Sequence, residues 1–378
     1  MKFSSKLFLL LLLFPCFVFS LDTIAKQAIL YDFETKSVIF EKNADELMSP
    51  SSMSKLMTVY YVFDKIKKGE ISINDKFKVS KKAWKKGGSR MFLNLNSFVT
   101  IEELLKGIIV QSGNDACITI AEGFAGSEKN FAIQLNELAN KIGLKDSYFT
   151  NSTGWPDPDH LMTTRDILKI VVKTIEDFPE LYKLYSEKEY TYNKIRQINR
   201  NPLLFSDNYT DGLKTGHTSL GGYGLAASSI RNNRRLILII NGLETNKSRK
   251  FESKRLMDAG FFQFKNFHFV KKEKVIDNIR VWNGKKKNLD VYSPTDISIT
   301  IPSSLRKKLK VFIQYQSPVN APIKKGQEIA KLLIRNNEKV VLKEFPLYSF
   351  QNIDEINFFS KIVFKFQYLV FGDSIYNN

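Results

Sequence analysis

Apolar residues recur at three- and four-residue steps through Met53, Leu56, Met57, Tyr60 and Phe63, which predicts a buried helix. Pro50 suits its first turn and Ser51 its cap. Upstream, Ala28–Asp32 and Ser37–Glu41 read as the strands of a hairpin turned through Glu34-Thr35-Lys36. Helical spacing returns over 101–126, with a break at Gln111-Ser112-Gly113-Asn114. It recurs over about 129–142 and from Asp166 to Lys183. Residues 85–100 are rich in loop formers. The stretch from Asn151 to Arg165, with Gly154, Pro156 and Pro158, has no period and reads as an irregular loop. Tyr223–Ser229 and Arg235–Leu243 predict adjacent strands, followed by a helix over about 247–261. Strands at both ends with helices between imply a mixed α/β domain whose sheet is covered by a helical region.

The texture changes after Phe267. Short β-branched runs at Val275–Trp282, Ile297–Ile301, Lys310–Gln314 and Glu338–Leu342 alternate with Gly, Pro and Asn turns. They predict a small all-β domain over about 268–349. The final segment, 350–378, is different again. Ile356, Phe359, Ile362, Val363, Phe366, Leu369 and Val370 make a broad apolar face opposite Asn357, Ser360, Lys361 and Lys365. The segment is too short and too charged at its centre to span a bilayer, and suits the plane of an anionic membrane surface through 351–378. A helix packed on its own domain is the alternative.

Composition narrows the picture. The chain of 378 residues is long enough for two domains, and 43% apolar and 25% charged residues are ordinary for a globular protein. A formal charge of +18 implies anionic surroundings, yet no nucleic-acid-binding motif accompanies it. Residues 1–20 read as a secretory signal: Lys2 and Lys6, an apolar stretch from Leu7 to Phe19, and small residues near Val18-Phe19-Ser20. Its removal, taking two lysines and no acid, leaves +16 on the mature chain, whose first domain begins at residue 21 and runs to about 267. Cys16 leaves with the leader, since Pro15 before it argues against a lipoprotein. Cys117 is then the only cysteine, read as a buried, inert thiol. With three histidines and no His-Glu-x-x-His, neither a catalytic zinc nor any other cofactor is expected.

On the first helix Ser52 and Lys55 share a face one turn apart. A lysine whose pKa is lowered by burial and nearby cations can take a serine proton, and a helix N-terminus favours the developing oxyanion. By itself the pattern is weak. It recurs at Ser304-Leu305-Arg306-Lys307, and taken alone a capping serine beside a solvated lysine is the better explanation. Ser112-Gly113-Asn114 and Lys214-Thr215-Gly216 change the odds, because the three motifs in this order form the signature of penicillin-recognising serine acyltransferases.

The resemblance extends to longer stretches: Ser112 to Cys117, Thr163 to Asp166, Asn199 to Leu204, Asp211 to His217 and Glu252 to Leu256. The chain resembles the D-alanyl-D-alanine carboxypeptidases of the low-molecular-mass, type-5 penicillin-binding protein family from about residue 22 to its end. That resemblance implies an α/β (α+β) serine β-lactamase/DD-peptidase-like fold with an antiparallel sheet and a helical subdomain, then a small all-β domain and an amphipathic tail. It implies cleavage of the terminal D-alanine from peptidoglycan stem pentapeptides, β-lactams as covalent inhibitors, and an exported protein held peripherally at the outer face of the cytoplasmic membrane.

It also implies roles. Ser52 is the nucleophile, Lys55 its general base, and Ser112 relays a proton to the leaving D-alanine. Asn114 holds the substrate amide and the Lys55 side chain. Lys214 keeps the cleft positive and lowers the pKa of Lys55. Thr215, Arg200 and Arg249 receive the terminal carboxylate, beside Gly216. Backbone N–H groups of Ser52 and His217 form the oxyanion hole. His160 is expected to be a loop hydrogen-bonder and His268 structural. Two departures from the family pattern stand out: Glu34-Thr35-Lys36 in the hairpin, where relatives often place a glycine, and Trp155, where they often carry a leucine. A β-lactamase or an endopeptidase on the same fold, or a scaffold without turnover, are the rival readings. The 150–166 loop offers no persuasive glutamate for the first.

Overall fold

A computed structural model describes residues 21–372. The predicted leader and residues 373–378 lie outside them. The centre of the first domain is a five-stranded antiparallel sheet made of β1 (Gln27–Asp32), β2 (Ser37–Lys42), β3 (Thr210–Thr218), β4 (Gly222–Arg231) and β5 (Arg234–Leu243), in the order β2-β1-β5-β4-β3. The strands nearest the ends of the domain therefore pair in its middle, with Leu30 opposite Leu238. Apolar runs such as Leu236–Ile240 are fully buried because the sheet is covered on both faces. Helix Asn246–Gln263 covers one face through Leu256, Met257 and Phe261. The other face meets the helical region, including Lys55–Lys67, Ile101–Val110, Asn114–Ala125, Glu128–Lys141 and Thr164–Asp177.

The first helix buries Met53, Leu56, Met57, Tyr60 and Phe63, as its spacing predicts. Its start differs from the expectation. Pro50 precedes a 3-10 turn, Ser51–Ser54, and no side chain caps it. Ser51 instead has φ +51° and bonds Thr218 Oγ1 at 3.0 Å, tying the turn to the edge strand. The periodic stretch from Asp166 to Lys183 is also interrupted. The helix ends at Asp177, and Phe178 leaves the helical region before Pro179, as a residue before proline tends to.

Helix Asn246–Gln263 runs directly into strand Phe264–Val270, which pairs with Ile297–Pro302. A six-stranded sheet packs against that pair around Ile279, Val281, Leu289, Ile299, Leu332 and Leu347. The expected run Glu338–Leu342 is mostly turn, with its strand beginning at Val341. Strand Glu328–Arg335 has too continuous an apolar stretch to show a strand's alternation in the sequence. The two domains touch where Thr35 meets Thr300 at 2.5 Å and Asn266 donates to Asp32 at 3.2 Å. Helix Phe358–Phe371 follows, capped by Asn357. No helix among the described residues is long and apolar enough to cross a membrane.

Candidate active site

Three elements converge on Lys55. The turn that opens its own helix supplies Ser52, the break between two helices supplies Ser112 and Asn114, and β3 runs past as an edge strand carrying Lys214 to His217. Lys55 is fully buried. Its Nζ lies 2.9 Å from Ser52 Oγ, 2.9 Å from Asn114 Oδ1 and 2.6 Å from the carbonyl of Thr153. The carbonyls of Asn114 and Thr153 only accept, so they take two N–H groups of the lysine in either protonation state. The contact with Ser52 can reverse. A neutral amine keeps those two donors and turns its lone pair to the serine hydroxyl.

The electrostatics shift Lys55 towards that neutral form. Burial lowers the pKa of Lys55 to about 8, and the charges of Arg200 and Lys86 push the same way. The sequence predicts burial and nearby cations as the causes, with Lys214 as the helping cation. Here desolvation leads, and the repulsion between the two lysines falls on Lys214, which burial already holds well below its ordinary value. Lys214 Nζ donates to the carbonyl of Thr215 at 3.2 Å. Cys117 is buried nearby and desolvation pushes its thiol up to about 12, leaving it inert.

Ser112 has φ +64° at the inter-helix break, and its buried Oγ has no hydrogen-bond partner. A buried orphan hydroxyl of this kind is costly in a merely structural position and useful in a reactive one. Asn114 Nδ2 donates one hydrogen to the carbonyl of Gly87 at 3.0 Å, which leaves its second for a substrate. Asp115 orders the facing loop by accepting from the backbone N–H groups of Met91, Phe92 and Leu93. Thr215 is buried on β3. Gly216 has a packing reason as well, because a Cβ there would lie 2.8 Å from the carbonyl oxygen of Pro50.

The cationic end of the cleft is built from two guanidinium groups, Arg249 and Arg200. Arg249 is buried, bonds Asn246 Oδ1 at 2.7 Å, and keeps its Nε without a partner. Its guanidinium lies 5.5 Å from the Tyr223 ring, which in turn stacks on His217 at 3.9 Å. Arg200 reaches in from another loop and donates to Ser89 Oγ at 2.6 Å. His160 is a structural link. Thr150 N–H donates to its Nδ1 at 3.1 Å, so Nε2 carries the proton and donates to Ser54 Oγ at 2.7 Å. Burial lowers its pKa to about 4, which keeps it neutral. His268 bonds Ser298 in the second domain.

Sequence reasoning missed three contributors. The Thr153 carbonyl leaves no side-chain signal. Tyr223 looked like an ordinary strand residue. Lys86 belonged to a run of lysines with nothing to single it out.

The sequence family described as D-alanyl-D-alanine carboxypeptidase matches residues 18–245, and the one described as the C-terminal domain of penicillin-binding protein 5 matches residues 264–355. The D-alanyl-D-alanine carboxypeptidase DacC of Escherichia coli (strain K12) is 38% identical over 89% of this chain and 86% of its own length. DacA of Haemophilus influenzae is 36% identical over 89% and 87%. The crystal structures of penicillin binding protein 5 from Haemophilus influenzae superpose with a TM-score of 0.82 at 35% identity, covering 89% of this chain and 100% of that one. The chain belongs to the D-alanyl-D-alanine carboxypeptidase family.

Proposed function

We propose that this chain is a serine-type D-Ala-D-Ala carboxypeptidase that removes the terminal D-alanine of peptidoglycan stem pentapeptides through an acyl-enzyme on Ser52. The observation that carries this reading is the buried Lys55 amine, 2.9 Å from Ser52 Oγ and held on its other side by two carbonyls.

The reaction follows from that geometry. Neutral Lys55 takes the hydroxyl proton as Ser52 Oγ attacks the carbonyl between the two D-alanines. Backbone N–H groups of Ser52 and His217 receive the oxyanion. The stem peptide lies along the free edge of β3 as an added strand, and the second N–H of Asn114 Nδ2 meets its amide carbonyl. Arg249, Arg200 and Thr215 take the terminal carboxylate. As the C–N bond breaks, the proton passes by way of Ser112 to the leaving D-alanine, and Lys55 is neutral again. Water activated by Lys55 then hydrolyses the ester. A β-lactam presents the same acyl carbonyl and acylates Ser52.

The protein acts outside the cytoplasm, held on an anionic membrane surface by helix Phe358–Phe371. Phe359 and Leu369 are 78% and 83% exposed on that helix, while Trp282 packs edge-on against Phe364 and Tyr368 and seats the opposite side on the β-domain. Such a face is what an interfacial helix offers to lipid. Purified protein incubated with a stem pentapeptide is expected to release free D-alanine. Fast turnover of penicillin with no D-alanine released would overturn the reading in favour of a β-lactamase.

A further inference from the structure

One of the two carbonyls that hold Lys55 belongs to an irregular loop, so its aim has to come from contacts outside that loop. Ser152 and Thr153 are both buried there. The Ser152 carbonyl accepts from Thr58 Oγ1 at 2.8 Å, and the next carbonyl, that of Thr153, accepts from Lys55 Nζ at 2.6 Å. Lys55 and Thr58 are three residues apart on one helix and share a face. Two successive carbonyls of the loop therefore grip one side of the nucleophile helix.

The rest of Ser152 is held by a carboxylate from a different helix. Glu128 opens helix Glu128–Lys141, and its Oε1 accepts from Ser152 Oγ at 2.8 Å and from Ser152 N–H at 3.4 Å. Its Oε2 pairs with Lys82 at 3.1 Å, on the short helix Lys81–Lys85. Just beyond that helix the Lys86 ammonium lies 4.0 Å from the centre of the Trp155 ring, so the same rim is tied to the loop twice. The Glu128 side chain is only 12% exposed. Burying a carboxylate is costly, and these donors offset the cost. Capping its own helix does not require it, because Ser127 Oγ already accepts from Asn130 N–H at 3.1 Å.

We propose that Glu128 is a positioning residue for the general base. Through Ser152 it aims the Thr153 carbonyl at Lys55, and so keeps the lone pair of the neutral amine turned towards Ser52 Oγ. Without the carboxylate, the Ser152 hydroxyl and amide lose their acceptor and the Thr153 carbonyl loses its fixed place. The amine then keeps one fixed acceptor, Asn114 Oδ1, and rotates about it. The inference rests on the carboxypeptidase reading and deepens it with a residue that acts on Lys55 through two others.

The test uses the full chain and a fluorescent penicillin, and reads the acylation rate constant at saturation, the half-saturating concentration and thermal unfolding. Glu128→Ala should slow acylation by roughly tenfold to a hundredfold, the range reached when a reacting group is displaced by about 1 Å, with half-saturation nearly unchanged. Glu128→Gln keeps an acceptor oxygen at the same reach and should recover most of the rate. Lys82→Ala removes only the exposed partner of the ion pair and should acylate close to the wild-type rate. Ser152→Ala should slow acylation in the same way, and the double variant Glu128→Ala/Ser152→Ala should be no slower than the slower single one, because both break one connection. A wild-type rate in Glu128→Ala would overturn the proposal, as would a loss that Glu128→Gln shares in full or a double variant slowed by the product of the two single losses. A wild-type rate in Ser152→Ala would also overturn it, which keeps the link testable should Glu128→Ala fail to fold. These outcomes leave the carboxypeptidase reading standing. Absence of D-alanine release from a stem pentapeptide by the wild type would overturn that reading and this inference with it.

Discussion

Ser52 and Lys55 owe their chemistry to two facts of different origin. Their spacing is local, and their reactivity comes from a pocket assembled by Asn114 and Thr153. Because burial brings the pKa of Lys55 to about 8, the neutral, base-competent fraction grows as pH rises through that value. We expect kcat/KM and the rate of penicillin labelling to climb with pH and to level off above about 8. A flat profile between pH 6 and 9 would contradict Lys55 as the base. Lys55→Arg keeps a cation that does not deprotonate, and should lower acylation by roughly 10²–10⁴, the range of a positioned general base. Ser52→Ala should abolish covalent labelling by a fluorescent penicillin. At the other end, Arg249→Ala should lower kcat/KM for peptides by roughly tenfold or more through loss of a charged partner for the carboxylate, measured against a matched peptide amide.

Elements bring these groups together by unusually close backbone approaches. Gly154 has φ +71°, and a Cβ there would sit 1.9 Å from the carbonyl oxygen of Ser51, so the loop bearing Thr153 can reach the nucleophile turn only with glycine at that point. Gly154→Ala should destabilise the fold by about 2 kcal/mol or more and reduce acylation with it, as read by thermal unfolding and penicillin labelling. The helices and central strands were legible because each buries a periodic face, as in Met53 to Phe63 and Leu236 to Ile240. The loops were legible only as loops. Their period-free stretches reveal neither that Thr153 turns its carbonyl to Lys55 nor that Trp155 lies on Gly88.

At the scale of the whole molecule, the β-domain and the last helix form one continuous arrangement. Ile353 is buried in the β-domain core and bridges Ile323, so residues 351–356 belong to that packing, and the exposed helix proper begins at Phe358. Deletion of 358–378 should therefore release the protein from vesicles containing anionic lipid while leaving D-alanine release in solution unchanged. Persistent binding to those vesicles would contradict the anchor. Sequence alone determined the first helix, the change of texture after Phe267 and the three motifs, because periodicity and short-range spacing are properties of a chain read along its length. Only the tertiary structure decided the low pKa of Lys55, the Arg249–Tyr223–His217 stack and the Lys86–Trp155 rim. Burial and charge repulsion depend on which distant residues are brought within a few ångströms, and no local pattern encodes that.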